Sequence, residues 1–141
     1  MFLEGDILFG KIRPYFHKVV DAPTSGCATT SAIVFRPVEK IFRGRALAIA
    51  SSDAFVGVAT ATSNGTTMPS ANTKVLLGYS TPHPTRDVEL AFSETVEPMN
   101  QLRKNLATQN RVLRKARDLL LPRLISGELD VSELDLDLET R

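Results

Sequence analysis

Side chains that could contact a nucleic acid are concentrated near the start of the chain. They are Lys11, Arg13, Tyr15, His17 and Lys18. Lysine and arginine bind phosphate oxygens, and arginine can also donate two hydrogen bonds to guanine. If this segment is extended, the four odd-numbered side chains share one face, because successive side chains of a strand alternate. By themselves, these residue types favour a solvated hairpin with ordinary surface cations over a DNA-binding segment.

Two further segments carry polar groups that could approach DNA. Thr29 and Thr30 offer hydroxyls, although threonine is common on the solvent side of strands. Asn64, Thr66 and Thr67 surround a glycine in a turn-forming loop, where a backbone without Cβ can come close to a phosphate. The alternative for this loop is a helix C-cap followed by a turn. Both interpretations are compatible with DNA contact.

A seven-residue apolar repeat occupies the region after Pro98. Its positions are Met99, Leu102, Leu106, Gln109, Leu113, Ala116 and Leu120. This spacing predicts a helix-pairing seam of coiled-coil type, in which polar Gln109 would set register or orientation. The alternative is an amphipathic helix that packs on its own domain. Residues 99–127 contain seven basic residues and one acidic residue, whereas residues 128–141 contain one and six.

The elements that position these residues are predicted from local patterns. Strands are expected at residues 6–9, 16–20 and 28–35, with a bend at 11–15 because Pro14 lacks an N–H. Two short helices are expected at residues 46–50 and 54–59, then a polar loop at 63–70 and a strand at 74–77. A helix starts near Thr85, is restarted or kinked at Pro98, and is closed by Pro122 and Gly127. The leucines of the acidic tail would suit a strand.

Composition limits the classes of function. The 141 residues are 43% hydrophobic and 23% charged, with a net charge of +1, as in one ordinary globular domain. A single cysteine, Cys27, allows no internal disulfide and fits a reducing compartment, so we expect a cytoplasmic protein with no signal peptide and no membrane association. A Cys–His hydrolase would need Cys27, His17 and Asp21 close together, and nothing in the sequence arranges this. We expect Cys27 to be buried and His83 to lie in an exposed linker.

Three stretches resemble the specificity subunit of type I restriction-modification systems. They are EGDILFGKIRPYFHK at residues 4–18, NGTTMPS at 64–70, and RDLLLPRLISGELDV at 117–131. Their order and spacing also resemble that family, and a heptad helix precedes the last one. The resemblance covers most of the chain. With this resemblance, residues 11–18 are expected to bind DNA and not to form an ordinary solvated hairpin.

The resemblance implies a DNA-reading module without catalysis of its own. In that family, target recognition domains select the sequence and long helices separate them, while modification and restriction subunits perform methylation and cleavage. The implied fold class is α+β: a partial target recognition domain at residues 1–80, with a short mixed β-sheet and small helices, then a helical spacer at 81–127 and an acidic tail at 128–141. Double-stranded DNA and those subunits are the implied partners. S-adenosylmethionine and ATP would belong to the subunits, so this chain is expected to hold no cofactor.

The sequence leaves alternatives for how the recognition domain is completed and for the function of the chain. The opening motif lies in the middle of a recognition domain in the family, so the chain is expected to hold the second half of one domain plus its helix. Such a half is either a gene remnant or a split subunit that is completed by self-association or by a complementing half. The alternative function is a coiled-coil interaction protein that has kept no DNA recognition.

Overall fold

The computed structural model describes residues 1–130, and its fold class is α+β, as predicted. Three strands form one sheet: β1 (Ile7–Gly10), β2 (Val19–Asp21) and β3 (Ala32–Phe35). Four helices follow: α1 (Arg43–Ser51), α2 (Asp53–Ala61), α3 (Thr73–Leu77) and α4 (Arg86–Ile125). The prediction of a tail strand concerns residues that lie mostly outside the described part of the chain. No helix in residues 1–130 is both long enough and apolar enough to cross a membrane.

The sheet has β1 at its centre, with β2 and β3 on either side. Both pairings are antiparallel, so the expected mixed sheet is corrected to an antiparallel one. Ile7 and Phe9 are fully buried, because side chains two residues apart point to the same face of a strand. β2 and β3 are shorter than expected, because Phe16 belongs to a 3₁₀ turn, residues 17–18 and 28–29 are irregular, and residues 30–31 form a turn.

The core lies between this face of the sheet and α2. Phe9 contacts Phe55 edge-on, with ring centroids 5.4 Å apart, and Phe55 meets Phe35 and Tyr79 at 6.0 and 5.1 Å. Edge-to-face contacts are a favourable arrangement for aromatic rings. The two short helices are confirmed, and Ser52 caps α2 by accepting a hydrogen bond from the Phe55 N–H.

The predicted strand at residues 74–77 is wrong, because this segment forms α3. The Asn72 side chain caps it by accepting a hydrogen bond from the Lys74 N–H at 3.1 Å. The helical turn buries Leu76 in the core beside α2. The packing of that leucine outweighs the weak strand propensity of a four-residue run.

Contacts divide the chain into two compact units, with the boundary after Asn100. In the first unit, the opening turns of α4 lie against α1. A methyl group on Gly44 would come within 3.3 Å of Val96, so the absence of a side chain allows this close approach. α4 starts where expected and continues through both Pro98 and Pro122, so Pro122 does not end it. Gly127, with a φ of +74°, follows the last turn as predicted.

Candidate nucleic-acid interface

The antiparallel sheet brings two of the predicted DNA-contacting segments to the same end. β1 ends where β2 and β3 begin: Phe9 pairs with Val19, and Gly10 pairs with Ala32. Residues 11–18 connect β1 to β2, and residues 29–31 precede β3, so both segments must meet there. The Lys11 N–H donates to the Ser31 carbonyl at 2.9 Å.

The polar loop at residues 64–70 joins this end through backbone hydrogen bonds. The Arg13 N–H donates to the Pro69 carbonyl at 2.7 Å, and the Ala71 N–H donates to the Lys11 carbonyl at 2.8 Å. The loop is closed by two hydrogen bonds between the backbones of Asn64 and Ser70, at 2.8 and 3.0 Å. We call residues 11–18, 29–31 and 64–70 together the basic end of the sheet. All ten residues predicted to contact DNA belong to it.

The cations of the basic end are accessible. Arg13, His17 and Lys18 are exposed, and Lys11 is partly exposed. Within residues 1–130, no carboxylate forms an ion pair with Lys11, Arg13 or Lys18. The His17 Nε2 lies 3.7 Å from a carboxylate oxygen of Asp53, which is fully exposed. The basic end therefore presents positive charge to solvent.

Hydroxyl and amide groups surround these cations. Thr29 and Ser31 share a hydrogen bond of 2.6 Å between their hydroxyls. Thr30, Asn64, Thr66 and Thr67 are exposed. The Arg13 guanidinium donates to the Thr67 carbonyl at 3.4 Å. Arginine, hydroxyls and amides together provide the groups that proteins use for phosphate and base-edge contacts.

Residues 11–17 contain the bend that Pro14 predicts, so the condition for alternate side chains to share one face, an extended segment, is not met. Pro14, Tyr15 and Phe16 form a 3₁₀ turn, and the flanking residues Arg13 and His17 have φ values of +50° and +49°. Proline favours the first position of such a turn, because its φ is already fixed and it has no N–H to satisfy. The left-handed conformation is costly for residues with a Cβ, and such strain is often found at functional sites.

The opposite end of the sheet carries paired charges that the sequence reasoning missed. Asp6 is buried and accepts two hydrogen bonds from Arg36, at 2.6 and 2.8 Å. This guanidinium, together with the Leu3 N–H, lowers the pKa of Asp6 from 3.8 to about 2. Asp21 is also buried and accepts a hydrogen bond from Arg43 at 2.5 Å. No local pattern links an aspartate to an arginine 30 or 22 residues away.

Arg43 and Arg45 also bind the start of α4. Arg43 forms an ion pair with Glu97. Arg45 donates to Glu89 at 2.7 Å, and the Glu89 side chain is only 2% exposed. A buried carboxylate requires such a partner, because it has lost its hydration. These pairs hold α1 against the first turns of α4.

The predicted helix-pairing residues are exposed along α4. Met99, Leu102, Leu106, Leu113 and Leu120 are between 48% and 65% exposed, and Gln109 and Ala116 are exposed as well. Apolar residues outside the seam, such as Val112 and Leu119, are exposed too.

The remaining candidate residues lie elsewhere. Cys27 is exposed, so the prediction that it is buried is wrong. It lies in a loop next to Gly26, whose backbone pairs with Phe2 instead of forming a strand. His83 is exposed, as predicted for a linker. Asp21 is bound to Arg43 and His17 lies beside Asp53, so the hydrolase alternative gains no support from this arrangement.

The sequence was compared with models of known protein families and with curated proteins. No family model matches the chain, and no curated protein is significantly similar to it.

Proposed function

We propose that the chain recognises DNA sequence as a specificity subunit, or part of one, of a type I restriction-modification complex. One observation carries the DNA-binding part of this proposal. The ten residues chosen from three separate stretches of sequence lie together at the basic end of the sheet, where no carboxylate among residues 1–130 neutralises Lys11, Arg13 or Lys18. The link to that particular complex rests on the resemblance of residues 4–18, 64–70 and 117–131.

In this proposal, different side chains of the basic end contact different parts of the DNA. Lys11 and Lys18 neutralise phosphates and so position the protein on the duplex. Arg13, which is exposed and whose guanidinium lies beside Thr67 of the loop, donates to a guanine edge. Threonine hydroxyls and the Asn64 amide contact further phosphates or bases. Methylation and cleavage are performed by partner subunits, and this chain contributes no catalytic residue.

DNA binding as a function of salt tests the proposal. The full chain is titrated against a pool of random duplexes, and the bound sequences are recovered and sequenced. We expect enrichment of a defined sequence, and an affinity that falls steeply with salt because bound cations are released from DNA. Lys11→Ala should reduce the slope of the salt dependence by about one phosphate contact. Lys40→Ala is the matched control, because Lys40 is exposed but lies in the turn after β3, beyond the other end of that strand.

The exposed seam of α4 favours a second candidate function, an interaction protein without DNA recognition. The variant Leu113→Asp places a charge in the seam and should abolish any helix-mediated assembly, which light scattering would detect. Co-purification with a tagged modification subunit separates the candidates. Salt-independent assembly without DNA binding would favour the interaction protein, whereas recovery of the complex together with selective DNA binding would support the specificity subunit.

A further inference from the structure

Two aromatic rings stand exposed on the turn at the basic end. Tyr15 and Phe16 are 47% and 59% exposed, and their ring centroids lie 4.8 Å apart with the planes inclined by 55°. Exposure of two adjacent aromatic rings in water is unfavourable, and in proteins it often marks a surface that contacts a partner. The packing of the core does not explain them, because Pro14 is the residue of this turn that is buried.

Three backbone hydrogen bonds hold the turn that carries the rings. The Phe16 N–H donates to the Arg13 carbonyl at 3.2 Å, and the His17 N–H donates to the Pro14 carbonyl at 3.0 Å. A third bond, from the Arg13 N–H to Pro69, fastens the turn to the neighbouring loop. Side chains that are already held in place lose little conformational entropy when they bind.

Two cations belong to the same turn as the rings. The Lys18 ammonium lies 5.6 Å from the centroid of the Phe16 ring and is held there by a hydrogen bond of 2.8 Å to the Ile12 carbonyl. The second cation, Arg13, begins the turn, and its guanidinium donates to the Thr67 carbonyl. An exposed apolar ring with cations close by in the chain suits DNA, in which stacked bases lie next to charged phosphates.

We propose that Phe16, supported by Tyr15, is a wedge that partly inserts at one base step of the bound duplex and kinks it. This inference rests on the proposed DNA-binding function. Lys18 contacts a phosphate beside the opened step, and Arg13, at the start of the same turn, keeps its contact with a guanine edge. Apolar side chains that enter a base step unstack it and bend the duplex, and the bend allows additional protein contacts. Selectivity then includes a preference for flexible pyrimidine–purine steps at the kink.

Fluorescence of 2-aminopurine tests the wedge. Duplexes of the selected sequence carry this base at each position in turn, and the ends carry a donor and acceptor pair that reports bending. For the full unsubstituted chain, we expect increased 2-aminopurine fluorescence at one step and closer ends. Phe16→Ala should remove both signals and weaken binding by about tenfold, the effect of losing one stacked base. Its salt dependence should stay unchanged, since no cation is removed.

Val38→Ala is the control, because Val38 is also an exposed apolar residue, at 95%, but it follows the end of β3 that points away from the basic end. It should keep both signals. Tight binding by the unsubstituted chain without any fluorescence increase would overturn the wedge and leave DNA recognition intact. Tighter binding to the single strand than to the duplex would also overturn it. Failure to bind any duplex would overturn the proposed function, and the wedge with it.

Discussion

The two ends of the three-stranded sheet both carry charged residues. These charges are buried and paired at one end and face solvent at the other. At the end where β1 starts, Asp6 and Asp21 are buried, and each is bound by an arginine. At the end where β1 finishes, Lys11 and Arg13 face solvent without a carboxylate partner among residues 1–130. Charges of the first kind stabilise the fold, and charges of the second kind are available to a ligand. Substitutions at the two ends should therefore affect different measurements.

The largest effect is expected at the paired end. Arg43→Ala leaves the Asp21 carboxylate buried without its guanidinium and also removes the ion pair with Glu97. The loss of one partner from a buried ion pair typically costs about 3 kcal/mol or more. Urea denaturation should show this decrease in the free energy of unfolding. A decrease below about 1 kcal/mol would contradict the assignment of a stabilising role to this end.

The next largest effect is expected at the basic end, and it concerns binding. Arg13→Gly should weaken DNA binding by about tenfold, because the guanidinium is lost, while the free energy of unfolding stays the same or rises slightly. Glycine adopts the φ of +50° at this position without strain. Fluorescence anisotropy and urea denaturation measure the two quantities. Equal losses of stability and affinity would show that Arg13 stabilises the fold. That result would contradict the assignment of the basic end to ligand binding.

Acid should act on the paired end. The pKa of Asp6 is lowered to about 2 in the folded chain, from 3.8, because Arg36 binds the ionised carboxyl. Since the folded pKa lies below the unfolded one, the stabilisation is complete above about pH 4 and is lost as the pH falls towards about 2. Arg36→Ala should remove most of this contribution. Denaturation curves of both proteins across this interval measure it, and parallel curves would refute the Asp6–Arg36 coupling.

The smallest effect is expected for an ion pair whose two side chains are both exposed to solvent. Arg86 and Glu39 are 3.1 Å apart, with side chains 64% and 46% exposed. Exposed pairs contribute little, because water and salt screen them. Arg86→Ala should change the free energy of unfolding by less than about 0.5 kcal/mol. A loss as large as that of Arg43→Ala would show that burial is not what distinguishes the stabilising pairs.

Features that depend on neighbouring residues were predictable from the sequence. The two short helices α1 and α2, the start of α4 near Thr85 and the glycine after its last turn are all predicted from short patterns. The candidate DNA contacts are predicted in the same way, since cations, hydroxyls and turn-forming residues are visible in the sequence. The exposed ring of Phe16 was missed, because residues 16–20 had been interpreted as a strand. An aromatic pair directly after Arg13 and Pro14 was the available signal.

By itself, the sequence determined which chemical groups are present, where most elements begin, and the α+β class, because these depend on local propensity and on apolar spacing. Only the tertiary structure decided that residues 11–18, 29–31 and 64–70 share one end of the sheet, and that Asp6 and Asp21 bind Arg36 and Arg43. Strand register and backbone hydrogen bonds between distant segments set these arrangements. The energy of such contacts depends on burial and on a partner far away in the chain, and no short stretch of sequence contains either.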